Sequence, residues 1–494
     1  VYRGETEDEE TTMIRTALLV LAAALTALAS TPPGPTDGIR VTTDRTVDTT
    51  TLDSIVRDIF RLSGAKTNDE KGIAIYSWLH DTIFHNAYPV EKSPQSVGPL
   101  KVIKVYGWGL CGGQHTVLKA LFETAGWKVR YRGWDGHTTI EVNYDDHWHY
   151  FDVFLKCYFW TKDRKTIAGQ DDINADPSIV LDGLKDKRVP LDNYLCCGDE
   201  APGIVDGCKT SKPYPPSEPK DGWASVTGRD ERWDSGLVLP SGATLRLEWK
   251  GDQGQVAVGG QCRHSCGNKD YRADKTLGPI LEHYGVRNHS NGRLVYEPDF
   301  TKAQDLVLTG AKAESGKLVA SGGQGQAVVK LPLPYAYVGG QVEATFEGGE
   351  GKLSLSVDGG KTWAPVPAGD VTALVKQHYD LAIKAEFGGA LTKLHFEGVV
   401  EHNRSAQPYL LQGKNAVTAT PGRLGKGEIL SVTYAFQEAT APDPSRRTRW
   451  DGQGLSYGAP KTVAKEVTSQ PMNWTIEVGG NTPPKMLYLE YAVR

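Results

Sequence analysis

The stretch WKVRYRGWDGHTTIEVNYDDHWHYFD, from Trp127 to Asp152, decides how this chain is read. Apolar residues recur at every second position: Trp127, Val129 and Tyr131, then Ile140, Val142 and Tyr144, then Trp148 and Tyr150. That is the period of β-strands. Tyr144-Asp145-Asp146-His147 supplies a turn. An even turn that closes Tyr144 on His147 sets Asp152 opposite Thr139, on the face that carries His137 and diagonal to it, at about 7–8 Å between Cα atoms. An imidazole and a carboxylate can meet across that gap. An odd turn without a compensating bulge flips Asp152 to the other face.

Upstream the period is helical. Ile55, Ile59 and Phe60, then Ile73, Ile75, Tyr76, Trp78, Leu79 and Ile83, predict two helices between Leu52 and His85, interrupted at Gly64 to Asn68. A third helix follows Cys111, with Val117, Leu118, Leu121, Phe122 and Ala125 on its apolar face and Gly126 to end it. Helices followed by a mostly antiparallel sheet give an α+β order.

Gly109-Leu110-Cys111-Gly112-Gly113 places Cys111 at the start of that third helix. A cysteine attacks carbonyls as its thiolate, and an unperturbed thiol with a pKa of about 8.5 needs help to ionise at neutral pH. Uncapped N–H groups at a helix start provide some of that help, and a nearby imidazole provides more. Glycine neighbours let a substrate backbone approach and leave N–H groups as oxyanion donors. A cysteine beside glycines is, taken alone, more often a packing residue. The hairpin changes that weighting, because a histidine opening one strand and an aspartate on the next complete a nucleophile, base and orienter set.

From Gly109 to Asp152 the chain resembles the transglutaminase-like superfamily core. The features are G-x-C opening a helix, A-G-W-K-V-R after it, G-H with a strand ending I-E-V, and W-H-Y-F-D; Ile75 to Asp81 is similar to the helix this family places before its cysteine. The resemblance covers roughly Leu52 to Val153. It implies a papain-like fold and a thioester mechanism, with Cys111 as nucleophile, His137 as general base and acid, and Asp152 holding the imidazole. The chain departs from the family after its histidine, where Thr138-Thr139 replaces a common Ala-Trp; this leaves the triad intact but the resemblance does not define the substrate groove.

Trp108 and Trp134 flank the cysteine and the histidine in sequence, so they are candidates to wall the substrate cleft or assist the oxyanion site, with core or rim packing the equal alternative. His115, one turn into the cysteine helix, reads as a structural hydrogen-bonding residue. His147 and His149 are expected on opposite faces of one strand, a poor geometry for one metal, and no metal site or other cofactor is expected. Cys262 and Cys266, with Cys196 and Cys197, read as disulfide partners before zinc ligands. Seven cysteines are present; with Cys111 set aside, the others (Cys157, Cys196, Cys197, Cys208, Cys262, Cys266) can pair in an oxidising compartment.

Met13 and Arg15 precede an apolar run to Leu28 and a small-residue site at Ala27-Leu28-Ala29, which reads as a signal peptide with the acidic stretch Glu5 to Glu10 upstream of the start. The expected location is secreted or periplasmic, without stable membrane insertion after cleavage; a retained anchor is the weaker alternative, since the run is shorter than the roughly 20 apolar residues a span needs. The formal charge of −5 falls mostly in the leader, so the near-neutral remainder argues against nucleic-acid or membrane-surface partners.

With 494 residues, several cores are expected. The expected divisions are a leader and signal peptide over 1–30, a catalytic domain over 31–200, a proline-rich linker over 201–236, a small β unit or connector over 237–300, and a β-sandwich region over 301–494. Ser356-Val357-Asp358-Gly359-Gly360-Lys361-Thr362-Trp363 in the last resembles the Asp-box of sialidase-type β-proteins, a tight hairpin whose aspartate caps turn amides. The expected function is a cysteine hydrolase or acyltransferase acting on an amide of a peptide or glycopeptide. The alternative is a carbohydrate-binding or carbohydrate-acting protein whose core has been adapted and whose β-domains bind a polysaccharide or other glycan. No acidic calcium loop is apparent, which weakens the likeness to calcium-dependent crosslinkers.

Overall fold

The computed structural model describes residues 38–85, 88–89, 97–134, 136–155, 157–183, 201–214, 235–250, 258–259, 289–441, 456–468, 470–480 and 483–494. The expected leader and signal peptide, and Cys196, Cys197, Cys262 and Cys266, lie outside them. No helix among the described residues is long and apolar enough to cross a membrane.

A short strand, β1 (Arg40–Thr43), leads into α1 (Leu52–Ser63) and α2 (Asn68–Thr82). Each helix opens on a reciprocal cap: the Thr51 or Thr67 hydroxyl accepts from the N–H three residues on, and Ser54 or Glu70 accepts from the N–H of the capping threonine. Gly64 ends α1 at φ 69°, within the expected interruption. Helix α3 (Cys111–Thr124) ends where Gly126 turns to φ 90° and the N–H groups of Gly126 and Trp127 donate to the carbonyls of Glu123 and Phe122. Its apolar face, Val117, Leu118, Leu121 and Phe122, is completely buried.

The strands β2 (Lys128–Trp134), β3 (His137–Tyr144), β4 (His147–Asp152), β5 (Cys157–Tyr158) and β6 (Lys212–Tyr214) form an antiparallel sheet in the order β5-β4-β3-β2-β6. Tyr144 pairs with His147 and Ile140 with Phe151, the register an even turn requires. Asp145 and Asp146 sit at φ 50° and 58°, the left-handed pair that matches strand twist in a two-residue hairpin. On one face Ile140, Val142, Tyr144 and Phe151 join the core built on α1, α2 and α3. On the other, Tyr150 packs with Phe159, Ile173, Val180 and Val205 beneath α4 (Gln170–Ala175) and α5 (Ala201–Thr210).

The C-terminal half is antiparallel β-structure. A ten-stranded sheet contains β7 (Ala243–Glu248), β8 (His289–Tyr296), β12 (Ala390–Asn403), β14 (Leu430–Gln437) and β15 (Lys485–Val493); a five-stranded sheet contains β9 (Gly325–Pro332), β10 (Gly351–Ser356) and β11 (Asp380–Phe387). Leu245, Leu294 and Phe396 from the first and Val329, Leu355 and Ile383 from the second share one apolar cluster. The fold is α+β.

Three expected boundaries shift. Residues 201–214, assigned to a linker for their prolines, form α5 and the edge strand β6, because Ile204, Val205 and Cys208 bury one helical face against the sheet. The described strands of 237–300 belong to the ten-stranded sheet: β7 pairs with β15, and β8 with β12. Strand β1, placed in the N-terminal domain, pairs with β13 (Gly413–Thr420). The helical core and the β half also meet directly, through Asn403, whose amide donates to the carbonyls of Thr82 (3.0 Å) and Ile103 (2.6 Å), and through the hydroxyls of Tyr106 and Tyr379, 2.9 Å apart. Asp37 to Arg494 is one compact unit.

Candidate active site

Asp152 ends β4 on the face that carries Tyr150, and its carboxylate is completely buried. Its oxygens are fully used. Oδ1 accepts from the N–H groups of Phe154 (2.9 Å) and Leu155 (2.7 Å); Oδ2 accepts from Tyr150 Oη (2.8 Å) and His137 Nε2 (2.7 Å). Burial alone would push the carboxyl up, but the nearby imidazoles of His137 and His115, together with the His137 hydrogen bond, outweigh it and hold the group well below the ordinary carboxylate range. Burial, then the Asp152 charge, push the Tyr150 phenol far above its ordinary value, so it remains a donor.

A carboxylate only accepts, so His137 carries a proton on Nε2 and turns Nδ1 away from Asp152. Its ring is flanked by Trp134 and Phe154, at centroid distances of 5.4 and 5.0 Å. Gly207 of α5 lies so close to Trp134 that a Cβ there would sit 1.7 Å from the indole. Trp134 therefore belongs to the surroundings of His137. Trp108 takes the core-packing position: it is 1% exposed, edge-on to Tyr106 inside the helical core.

Cys111 is the first residue of α3, 9% exposed, and no side chain caps the helix start at Leu110. Leu110, at the cap position, offers the first-turn N–H groups no side-chain acceptor. The Cys111 carbonyl accepts from His115 Nδ1 at 2.8 Å, and the His115 ring packs edge-on against His137 with centroids 5.5 Å apart. The first turn of α3 thereby abuts the His137–Asp152 pair. Cys157 and Cys208, considered as disulfide partners, are thiols like Cys111; both are buried in the small core around Tyr150, and burial pushes the Cys208 thiol up.

Metal-ligating atoms of His115, His137 and Asp152 lie within 4.8 Å of one another. The donor chemistry favours orientation over ligation, because Asp152 already accepts four hydrogen bonds, about the capacity of a carboxylate. The expectation that His147 and His149 face opposite ways is corrected: two residues apart on β4 they share a face, with ring centroids 5.0 Å apart, His149 buried and stacked on Tyr144 at 3.6 Å and the half-exposed His147 bonding Asp172.

Pattern reading missed Tyr150 and the two amides on Asp152. Tyr150 stands two residues before Asp152, so strand alternation places it on the same face. An aspartate entering a turn is a known acceptor for the amides that follow. The outer part of this face is a polar network in which buried Glu141 accepts from Arg130 and Arg132, and Ser211 beyond α5 joins Arg132 to Gln170. A cleft of about 810 Å³ lined by Ile73, Trp78, Leu62 and Tyr409 contains none of the side chains of the Asp152 cluster. No family model and no curated protein matches this sequence.

Proposed function

We propose that this protein is an exported cysteine enzyme of transglutaminase-like type, with a papain-like N-terminal part and a β-sandwich C-terminal part, that acts on an amide bond through Cys111, His137 and Asp152. The observation that carries this is the 2.7 Å bond from His137 Nε2 to a buried, fully hydrogen-bonded Asp152, beside the uncapped helix start that bears the thiol. The bond fixes the tautomer, so Nδ1 is the nitrogen that takes the Cys111 proton. The thiolate attacks the amide carbonyl, and first-turn N–H groups receive the developing oxyanion. His137 returns the proton to the departing amine, leaving a thioester. Water then attacks the thioester, releasing the carboxylic acid and restoring the thiol; an amine acceptor in place of water gives acyl transfer.

Non-reducing treatment with iodoacetamide followed by peptide mapping tests the proposal. Cys111 is expected to alkylate faster than Cys157 or Cys208 at pH 7, and His137→Ala to slow it at least tenfold. Equal, slow labelling of all three thiols would overturn it. Screening of peptides, glycopeptides and polysaccharides then identifies the substrate.

A further inference from the structure

His115 is completely buried and has no part in the three-residue set, yet both of its nitrogens face that set. Nδ1 donates to the Cys111 carbonyl at 2.8 Å, and Nε2 lies 3.5 Å from Asp152 Oδ1 with no hydrogen-bond partner. Asp152 is thus approached by two imidazoles, one per oxygen: His137 from β3 at Oδ2 and His115 from α3 at Oδ1. We infer that His115 is a positioning residue for the proposed thiol chemistry, tying the first turn of α3 to the Asp152 carboxylate and so setting where the Cys111 sulfur meets His137.

The inference rests on the proposed nucleophile and adds a residue to it. A carbonyl can only accept, so His115 Nδ1 must carry a proton. Its Nε2 then meets a carboxylate oxygen, a contact that is attractive when Nε2 is also protonated. A buried polar nitrogen left without a hydrogen bond is rare enough to need an explanation. The charged and titratable groups around it are Cys111 on its own helix, His137 on β3, Asp152 and Tyr150 on β4, and, through Tyr150, Cys157 and Cys208. One side chain thus spans from the backbone of the first turn of α3 to the Asp152 carboxylate, so the ring is a tether between the two halves of the site. A shift of about 1 Å in such a tether changes rates by large factors.

The test uses the full chain and two variants, His115→Phe, which keeps the ring shape, and His115→Gln, which keeps an N–H donor. The rate of Cys111 alkylation by iodoacetamide is measured from pH 5 to 9 beside the thermal midpoint. Expected are a drop of at least tenfold at pH 7 in H115F, a displaced pH–rate profile, and partial recovery in H115Q. A folded H115F with the wild-type rate and profile overturns the inference, as does an H115Q that fails to fold, because a purely structural role is then sufficient. A slow Cys111 in the unaltered protein instead sinks the proposed function itself.

Discussion

Asp152 at the end of β4 and Asp358 after β10 use the same local device in opposite surroundings. Each carboxylate accepts from two successive amides of the turn that follows: Phe154 and Leu155 for Asp152, Lys361 and Thr362 for Asp358. Each also takes hydroxyl donors, Tyr150 in one case and Ser356 and Thr362 in the other. Both are held below the ordinary carboxylate range, Asp358 by the hydroxyls of Ser356 and Thr362 and the turn amides, Asp152 against an opposing effect of burial. The difference is what water can replace. Around Asp358 solvent can take over the bonds from the exposed Lys361 and Thr362, though not that from buried Ser356; the Asp152 carboxylate is completely buried, and part of its acceptor capacity goes to an imidazole. A turn cap becomes a candidate catalytic part through its burial, not through its motif.

The largest expected effect comes from removing the buried member. Asp152→Ala leaves His137, Tyr150 and two amides without an acceptor in a dry site and should destabilise the fold by about 3–5 kcal/mol in urea unfolding, while Cys111 loses its rapid alkylation. The pH dependence has a definite sign. The folded carboxyl titrates well below the unfolded value of 3.8, so its stabilisation is complete above that value and is lost as the pH falls through the depressed folded one. The stability difference between wild type and Asp152→Asn should accordingly be flat above about pH 5 and shrink below about pH 4. A difference that grew on acidification would contradict the charged, hydrogen-bonded Asp152.

An intermediate effect is expected one layer out. Arg132 is 5% exposed and donates to Glu141, Asp171 and Ser211. Arg132→Met leaves the buried Glu141 with Arg130, whose guanidinium is 2.7 Å away, so the loss should be about 2 kcal/mol, smaller than for Asp152→Ala. A loss as large as that of Asp152→Ala would mean that the network, and not the Asp152 centre, dominates this face.

These residues also show what could be read from sequence. The His137–Asp152 pairing was legible because a two-residue turn and strand alternation together determine register, and Asp145 and Asp146 adopt the conformation that register needs. The contact between His115 and Asp152 was not legible, since the direction of a helical side chain relative to a sheet depends on how the two pack. Residues 201–214 were misread because prolines on either side outweighed the Ile204, Val205 and Cys208 stripe. The pairing of β7 with β15 and of β8 with β12 joins segments far apart in the chain, and no local pattern encodes such partners. The Asp358 turn was legible throughout, because all its donors lie within a few residues.

That local turn gives the smallest expected effect, and it tests the comparison from the other side. Ser356 Oγ donates to Asp358 Oδ1 and accepts from the Gly360 N–H, Gly359 and Gly360 take φ values of 74° and 95°, and Lys384 stands over the Trp363 ring at 5.1 Å. With the glycines holding the backbone and water free to solvate the amides of Lys361 and Thr362, Asp358→Ala should shift the thermal midpoint far less than Asp152→Ala and leave Cys111 alkylation unchanged. If it lowered the midpoint as much, the hairpin would be organising the β half, and solvent access could not be what separates the two aspartates.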